Sequence, residues 1–164
     1  MQDLGLDPNA AEHMYGWARD LFPICRSVTG EGTRETLRYL QQRLPGLRIE
    51  AVPSGEAAFD WTVPPEWNIR GAYLQHEDGE RICDFRDHNL HVVGYSEQVD
   101  AWLELSQLEG HLHSLPELPE LIPYVTSYYQ RRWGFCLSHS RRQRLRAGRY
   151  HAVIDSSHAP GSLN

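Results

Sequence analysis

The chain has 164 residues, of which 40% are hydrophobic and 23% charged, with a formal net charge of −6. That length suits one ordinary domain, or one domain with a modest insertion, and the apolar share lies far above that of disordered chains. No run approaches the roughly eighteen apolar residues of a membrane helix, and Met1-Gln2-Asp3-Leu4-Gly5 has neither the basic stretch nor the apolar run of a secretory signal. The expected location is therefore cytoplasmic, with no membrane partner.

The three widely spaced cysteines argue against a disulfide framework. Charge is uneven: residues 1–130 hold 21 acids and 9 arginines, whereas residues 131–164 hold 7 arginines and 1 acid. All 16 cationic residues are arginine. Arginine suits bidentate contacts to carboxylate or phosphate, but genome composition is the stronger explanation of a complete replacement of lysine.

Residues 10–22 read as a helix, with Met14, Ala18, Leu21 and Phe22 near one face and Asn9 as N-cap, stopped by Pro23. A polar turn, Arg26-Ser27-Val28-Thr29-Gly30, precedes a second helix over 31–44, whose stripe is Thr33, Leu37, Leu40 and Leu44. Residues 47–52 alternate and predict a half-buried strand. From Phe59 to about Leu137 the chain turns aromatic and β-rich. Residues 71–74 and 81–85 flank an Asp78-Gly79 turn, which predicts a hairpin. Residues 90–95, 124–129 and 133–137 read as extended, Ser106 as the cap of a short helical turn, and residues 114–123, with three prolines, as loop. A short helix over 138–147, capped by Ser138 or Ser140, leads to a strand at 150–154. Asp155-Ser156-Ser157 then reads as the carboxyl end of an α/β strand, where sites gather.

Several constellations could carry chemistry. His88 and His91, His111 and His113, and Cys136 with His139, together with Cys83, contain metal-ligand atoms, but no spacing matches an established zinc motif. Hydrogen-bonded histidines explain them as well, and no metal is expected in this chain. Cys136 near His139 could be a nucleophile or simply a small buried hydrophobe. The run Arg141, Arg142, Arg144, Arg146 and Arg149 has no interleaved aromatics and sits on an acidic chain. It reads as a solvated face, or one paired with the acidic stretch 97–120, rather than as a nucleic-acid patch. The 26–30 turn could hold an anion at the helix N-terminus or merely cap it. Asp155 is the best isolated carboxylate.

Some stretches belong together: Leu21-Phe22-Pro23-Ile24-Cys25-Arg26-Ser27-Val28-Thr29-Gly30, then Phe59-Asp60-Trp61-Thr62-Val63-Pro64, Glu66-Trp67-Asn68-Ile69-Arg70 and Asn89-Leu90-His91-Val92-Val93-Gly94-Tyr95-Ser96. Ile122-Pro123-Tyr124-Val125-Thr126-Ser127-Tyr128-Tyr129 and Trp133-Gly134-Phe135-Cys136-Leu137-Ser138 complete the set. In this order they resemble bacterial aminopeptidase-like proteins, relatives of the zinc-dependent exopeptidases, from about residue 10 to 163. The resemblance implies an α/β fold (α+β for a fragment): a zinc-exopeptidase-like α/β domain over residues 1–58, an inserted small β-rich domain over 59–145, and a returning core strand over 146–164. It also implies metal-assisted amide hydrolysis in a longer protein, with zinc held downstream of Tyr150–Ile154. The chain by itself would then be inactive, and would pair with itself or with a polypeptide carrying the remainder. In a second reading the aromatic insert binds peptide or saccharide. The candidate substrate-binding residues are Arg26, Thr29, Tyr95, Tyr128 and Trp133. Trp61 and Trp67 would share the groove, or all these rings would simply form a core.

Overall fold

The computed structural model describes residues 8–127 and 130–164. Helices α1 (Ala10–Leu21) and α2 (Glu31–Gln41) are followed by short strands β1 (Val52–Pro53), β2 (Ala57–Ala58) and β3 (Trp61–Thr62). Next come the long strand β4 (Glu66–His76), β5 (Arg81–Ile82), β6 (Val99–Glu104), a helical turn α3 (Leu105–Leu108) and β7 (Leu112–His113). The chain finishes with β8 (Phe135–Cys136), α4 (His139–Arg142), β9 (Arg149–Ala159) and β10 (Ser162–Leu163). The class is mixed α and β.

The core sits on one face of a four-stranded antiparallel sheet in the order β5-β4-β9-β6. Side chains alternate along a strand, so β9 turns Tyr150, Ala152, Ile154 and Ser156 inward and leaves Arg149, His151, Val153 and Asp155 outside. The register sets Leu74 opposite Ala152 and Ala72 opposite Ile154, matching large with small. Val92, Leu108, Leu112, Phe135 and Leu137 cover this face. Leu74, Phe135, Leu137 and Ile154 are completely buried, each contributing about 1.5–3 kcal/mol through loss of hydrated apolar surface. On the outer face Trp102 stacks on His151 at 4.9 Å, His151 Nε2 lies 2.6 Å from Asp100 Oδ1, and the Arg81 guanidinium lies over the Tyr73 ring.

The hairpin stands where Asp78-Gly79 places it: Leu74 pairs with Ile82, Gly79 has φ +95°, and Asp78 Oδ1 accepts from Glu80 N. Several other elements differ from the local pattern. The expected strand 47–52 shrinks to β1, because only Ser162 and Leu163 of β10 lie alongside to pair with it. The expected strand 90–95 begins as a 3-10 turn, Asn89–His91, because His88 Nδ1 accepts from Leu90 N. It continues through single bridges, Val92 to Phe135 and Gly94 to Thr126. Of the expected strand 124–129, Thr126 makes one bridge, while Tyr128 and Tyr129 lie outside the described residues. The helix expected over 138–147 is only α4, and of the two candidate caps Ser138 is the one used, with Ser138 Oγ accepting from Arg141 N. The short turn expected at Ser106 is capped by Glu104 instead, in a reciprocal capping box with Gln107. Asp155-Ser156-Ser157 is not a strand end but lies inside β9, since β4 runs on to Glu66 as its partner.

The segment 146–164 supplies the strand flanked by β4 and β6. The expected apolar faces of α1 and α2 contain no buried residue, with Met14 and Phe22 63–66% exposed.

The helical hairpin is tied to the start of β4. Arg34 grips Glu66 with two N–H groups, and Glu66 Oε1 also accepts from Ser162 N at 2.9 Å, bringing β10 into the same knot. The Arg34 guanidinium holds the Glu66 carboxyl down at about 2, from an ordinary 4.5. Gly30 presses against β4 at φ +104°, where a Cβ would meet Trp67 O at 2.3 Å.

Two outcomes follow from this knot. Gly55 also has positive φ (+90°) but faces open space, so Gly55→Ala should cost roughly the 1–2 kcal/mol of a left-handed L-residue. Gly30→Ala should cost at least twice as much in urea unfolding, and equal losses would show that the close approach is unimportant. Folding depresses the Glu66 pKa, so its contribution is complete above about pH 4.5 and is lost as pH falls toward 2. Acid unfolding followed by circular dichroism should therefore be less steep over that interval in Glu66→Gln than in the wild type.

Candidate functional site

The turn 26–30 builds one wall of the site. Ser27 Oγ donates to Thr29 O and Thr33 Oγ1 donates to Ser27 O, closing the turn on itself. Gly30 is the N-cap position of α2 and has no side chain to offer. The Glu31 N–H at the start of α2 instead donates to Asn68 Oδ1 of β4 at 2.8 Å. A donor that an anion would need is thus already used by the protein.

Thr29 is 1% exposed and its hydroxyl is the hub. Trp67 N donates to Thr29 Oγ1 at 3.4 Å, and Thr29 Oγ1 lies 3.3 Å from Pro65 O, which can only accept. A threonine hydroxyl has one proton and two lone pairs. With that proton on Pro65 O, the Tyr95 hydroxyl is the donor in the 2.5 Å contact to Thr29 Oγ1. Tyr95 stacks on Trp67 with ring centroids 5.7 Å apart and holds φ +64°, a conformation that is unfavourable for a bulky residue. Next to it, Ser96 O accepts from both Trp67 Nε1 (2.9 Å) and Ser156 Oγ (2.8 Å), while Ser96 Oγ donates to Val93 O.

Tyr95 borders two clefts. The first, about 460 Å³, lies between the 22–28 segment and the loops at 88–95 and 124–126. Its walls are mostly apolar, including Phe22, Ile24, Val28, Leu90 and Tyr124. The second, about 820 Å³, is polar, and Arg70, Tyr95, Glu97, Gln98, Trp133 and His158 face it.

Four of the five expected substrate-binding residues can be placed. Thr29 and Tyr95 touch, with Thr29 wholly occupied by the hub. Arg26 borders the first cleft with Tyr95, its Nη1 donating to Leu21 O at the end of α1. Trp133 borders the second cleft with Tyr95 and stacks on His111 at 3.7 Å. Tyr128 lies outside the described residues. Trp67 lines the first cleft, whereas Trp61 borders neither. Sequence reasoning missed Ser96, Gln98 and His158. No local signal marks them, because strand pairing at the 66–76 and 149–159 ends and the turn at Tyr95 bring them together.

Among the described residues, no group of three or more His, Cys, Asp or Glu is placed to hold a metal ion. The histidines have protein partners instead: His91 Nδ1 lies 2.8 Å from Cys136 O, and His139 Nδ1 lies 3.0 Å from Ser114 Oγ. Burial pushes the Cys83 and Cys136 thiols up to about 12, the opposite of what a nucleophile needs. Asp155 is not an isolated acid but forms a two-point pair with Arg70, which lowers its carboxyl from the ordinary value. The arginine run is dispersed. Arg142 donates to the backbone carbonyls of Leu112 and Glu109, Arg146 pairs with Asp78 and Glu80, and Arg149 lies near Trp102. Arg142 and Arg149 reach the 97–120 stretch, through backbone carbonyls and the Trp102 ring rather than through carboxylates.

Residues 66–157, from the first residue of β4 nearly to the end of β9, match the model of a domain of unknown function, DUF2172. The chain belongs to the DUF2172 family. A protein of Clostridium acetobutylicum is 45% identical over 150 residues, which cover 92% of this chain and 34% of that protein. Its working name is polysaccharide biosynthesis protein with aminopeptidase-like domain. A crystal structure from the same organism, provisionally described as a peptidase, matches with a TM-score of 0.90 at 44% identity, covering 94% of this chain and 37% of that one. This DUF2172 chain is therefore similar to aminopeptidase-like proteins and spans about a third of their length. No described helix is long and apolar enough to cross a membrane.

The hub is testable by itself. Thr29→Val keeps the shape but leaves Trp67 N and the Tyr95 hydroxyl buried without their acceptor, at a cost of about 1–3 kcal/mol. Thr29→Ser should retain most of the wild-type stability in urea titration, whereas a Thr29→Val chain as stable as the wild type would show that the hydroxyl holds nothing.

Proposed function

We propose that this chain is the N-terminal part of a zinc-dependent aminopeptidase-like hydrolase of the zinc exopeptidase kind. The observation that carries this reading is the 45% identity to an aminopeptidase-like protein across 92% of the chain. The described residues do not fit a zinc centre, so the reading places the metal ligands in other parts of a longer, cytoplasmic protein. What these residues contribute is framework and cleft wall. The first cleft offers an apolar surface for a substrate side chain, with Arg26 on its rim and the Trp67–Tyr95 stack holding its shape. The exposed apolar residues of α1, Met14 and Tyr15, are where the remainder of the protein or a second copy would pack.

A second reading is favoured by the other cleft. In it the β-rich part also binds a peptide or saccharide ligand. The aromatic and polar wall around Trp133, together with the relative's naming for polysaccharide biosynthesis, supports this.

The hydrolase reading is tested by incubating aminoacyl p-nitroanilides with the 164-residue chain and with the full-length Clostridium relative, each with and without equimolar zinc. The expected result is zinc-dependent turnover by the relative and none by the chain. Turnover by the chain alone would overturn the placement of the ligands, and an inactive relative would overturn the hydrolase reading.

A further inference from the structure

The second cleft has a chemistry of its own, which deepens the reading of the β-rich part as a ligand-binding module. At about 820 Å³ it falls within the roughly 300–1,000 Å³ of small-molecule sites. Its arginines each lie near a carboxylate. Arg70 is held by both oxygens of Asp155, and the Arg131 guanidinium lies 3.8 Å from Glu97. Partial desolvation lowers the His158 imidazole from its ordinary value. Among the described residues that line the cleft, both arginines have a carboxylate beside them.

The cleft also lacks a seat for an apolar peptide side chain. Pro65 is the one aliphatic residue among the described residues that line it, in contrast to the first cleft with Ile24, Val28 and Leu90. Among the described residues the lining also has two aromatic rings, Tyr95 and Trp133, beside uncharged hydrogen-bonding residues that include Gln98, Gln130 and Ser157. A sugar ring has an apolar C–H face and a rim of hydroxyls, so it matches a lining in which aromatic surface adjoins neutral donors and acceptors.

Both rings are fixed in advance. Trp133 is stacked on His111 with an interplanar angle of 4°, and His111 Nδ1 lies 3.0 Å from Trp133 O. Tyr95 is pinned by its stack on Trp67 and by the Thr29 contact. Rings that need no ordering lower the entropic cost of binding, and a strained buried residue at a cleft wall is where function accounts for strain. We propose that this cleft binds a neutral oligosaccharide, with Trp133 as the stacking surface and Gln98 and Ser157 as hydroxyl partners.

The test is isothermal titration of the intact chain with chitotriose, cellotriose and maltotriose, set against N-acetyl-trialanine amide as a neutral peptide. At least one sugar should bind saturably, and binding should be unchanged by high salt because the lining arginines already lie beside carboxylates. Trp133→Ala should weaken it at least tenfold. Since Trp133 also supports the margin of the core, Gln98→Ala, at an exposed position, provides a second variant that should weaken it severalfold with an unchanged circular dichroism spectrum. No saturable sugar binding, tighter binding of the peptide, strongly salt-sensitive binding, or binding unaffected by both variants would each overturn the proposal. No turnover is measured, so failure here leaves the hydrolase reading standing, and failure of the hydrolase assay leaves this one standing.

Discussion

One hydroxyl group joins the two halves of the described structure. Thr29 Oγ1 has a single proton to give and two lone pairs to offer, and all three are in use, toward Pro65 O, Trp67 N and the Tyr95 hydroxyl. Because Thr29 is 1% exposed, water cannot replace any of these partners, and an unmade bond there carries its full desolvation cost. The helical hairpin therefore reaches the sheet in one place and one orientation. Gly30 allows the backbone to approach β4, Asn68 caps α2 from across the contact, and Arg34 with Glu66 closes the flank.

Everything of functional interest is arranged around that contact. The Trp67–Tyr95 stack is held from the N-terminal side by Thr29 and from the sheet side by the Ser96 carbonyl, which accepts from Trp67 Nε1 and Ser156 Oγ. Its Tyr95 ring borders both an apolar cleft and a polar one. The complete use of arginine matters here. The pairs Arg34–Glu66 and Arg70–Asp155 are two-point contacts that a planar fork can make and an ammonium cannot. They hold carboxylates in place at the sheet's first strand and beside the polar cleft.

The parts of this arrangement legible in the sequence are those set by neighbours along the chain. Both helices appear within a few residues of their expected limits, because a 3.6-residue stripe and a following Pro or Pro-Gly are local signals. The Asp78-Gly79 hairpin is local for the same reason. The alternation at 47–52 runs well beyond the residues of that segment that pair, since alternation reports a tendency to pair while pairing needs a partner of equal length. Strand β6 is less legible: its burial alternates, but Ala101-Trp102-Leu103 is a continuous apolar run in the sequence, and Asp100 and Glu104 depress β preference. At the site, Arg26, Thr29, Tyr95 and Trp133 stood out by residue type, but their division between two clefts did not.

The sequence by itself determined the class of the molecule, the helices, the hairpin, the absence of a recognisable metal motif and the likeness to aminopeptidase-like proteins, for these depend on composition, period and motif order. Only the tertiary structure decided that β9 joins β4 and β6 in one sheet, that Asp155 is partnered by Arg70, and that Thr29 meets Tyr95 across 66 positions of chain. The reason is physical. Local preference acts over a few residues, whereas the partner of a buried hydroxyl or a strand is selected by the desolvation cost of leaving it unpaired, which is felt only once the distant segments are brought together.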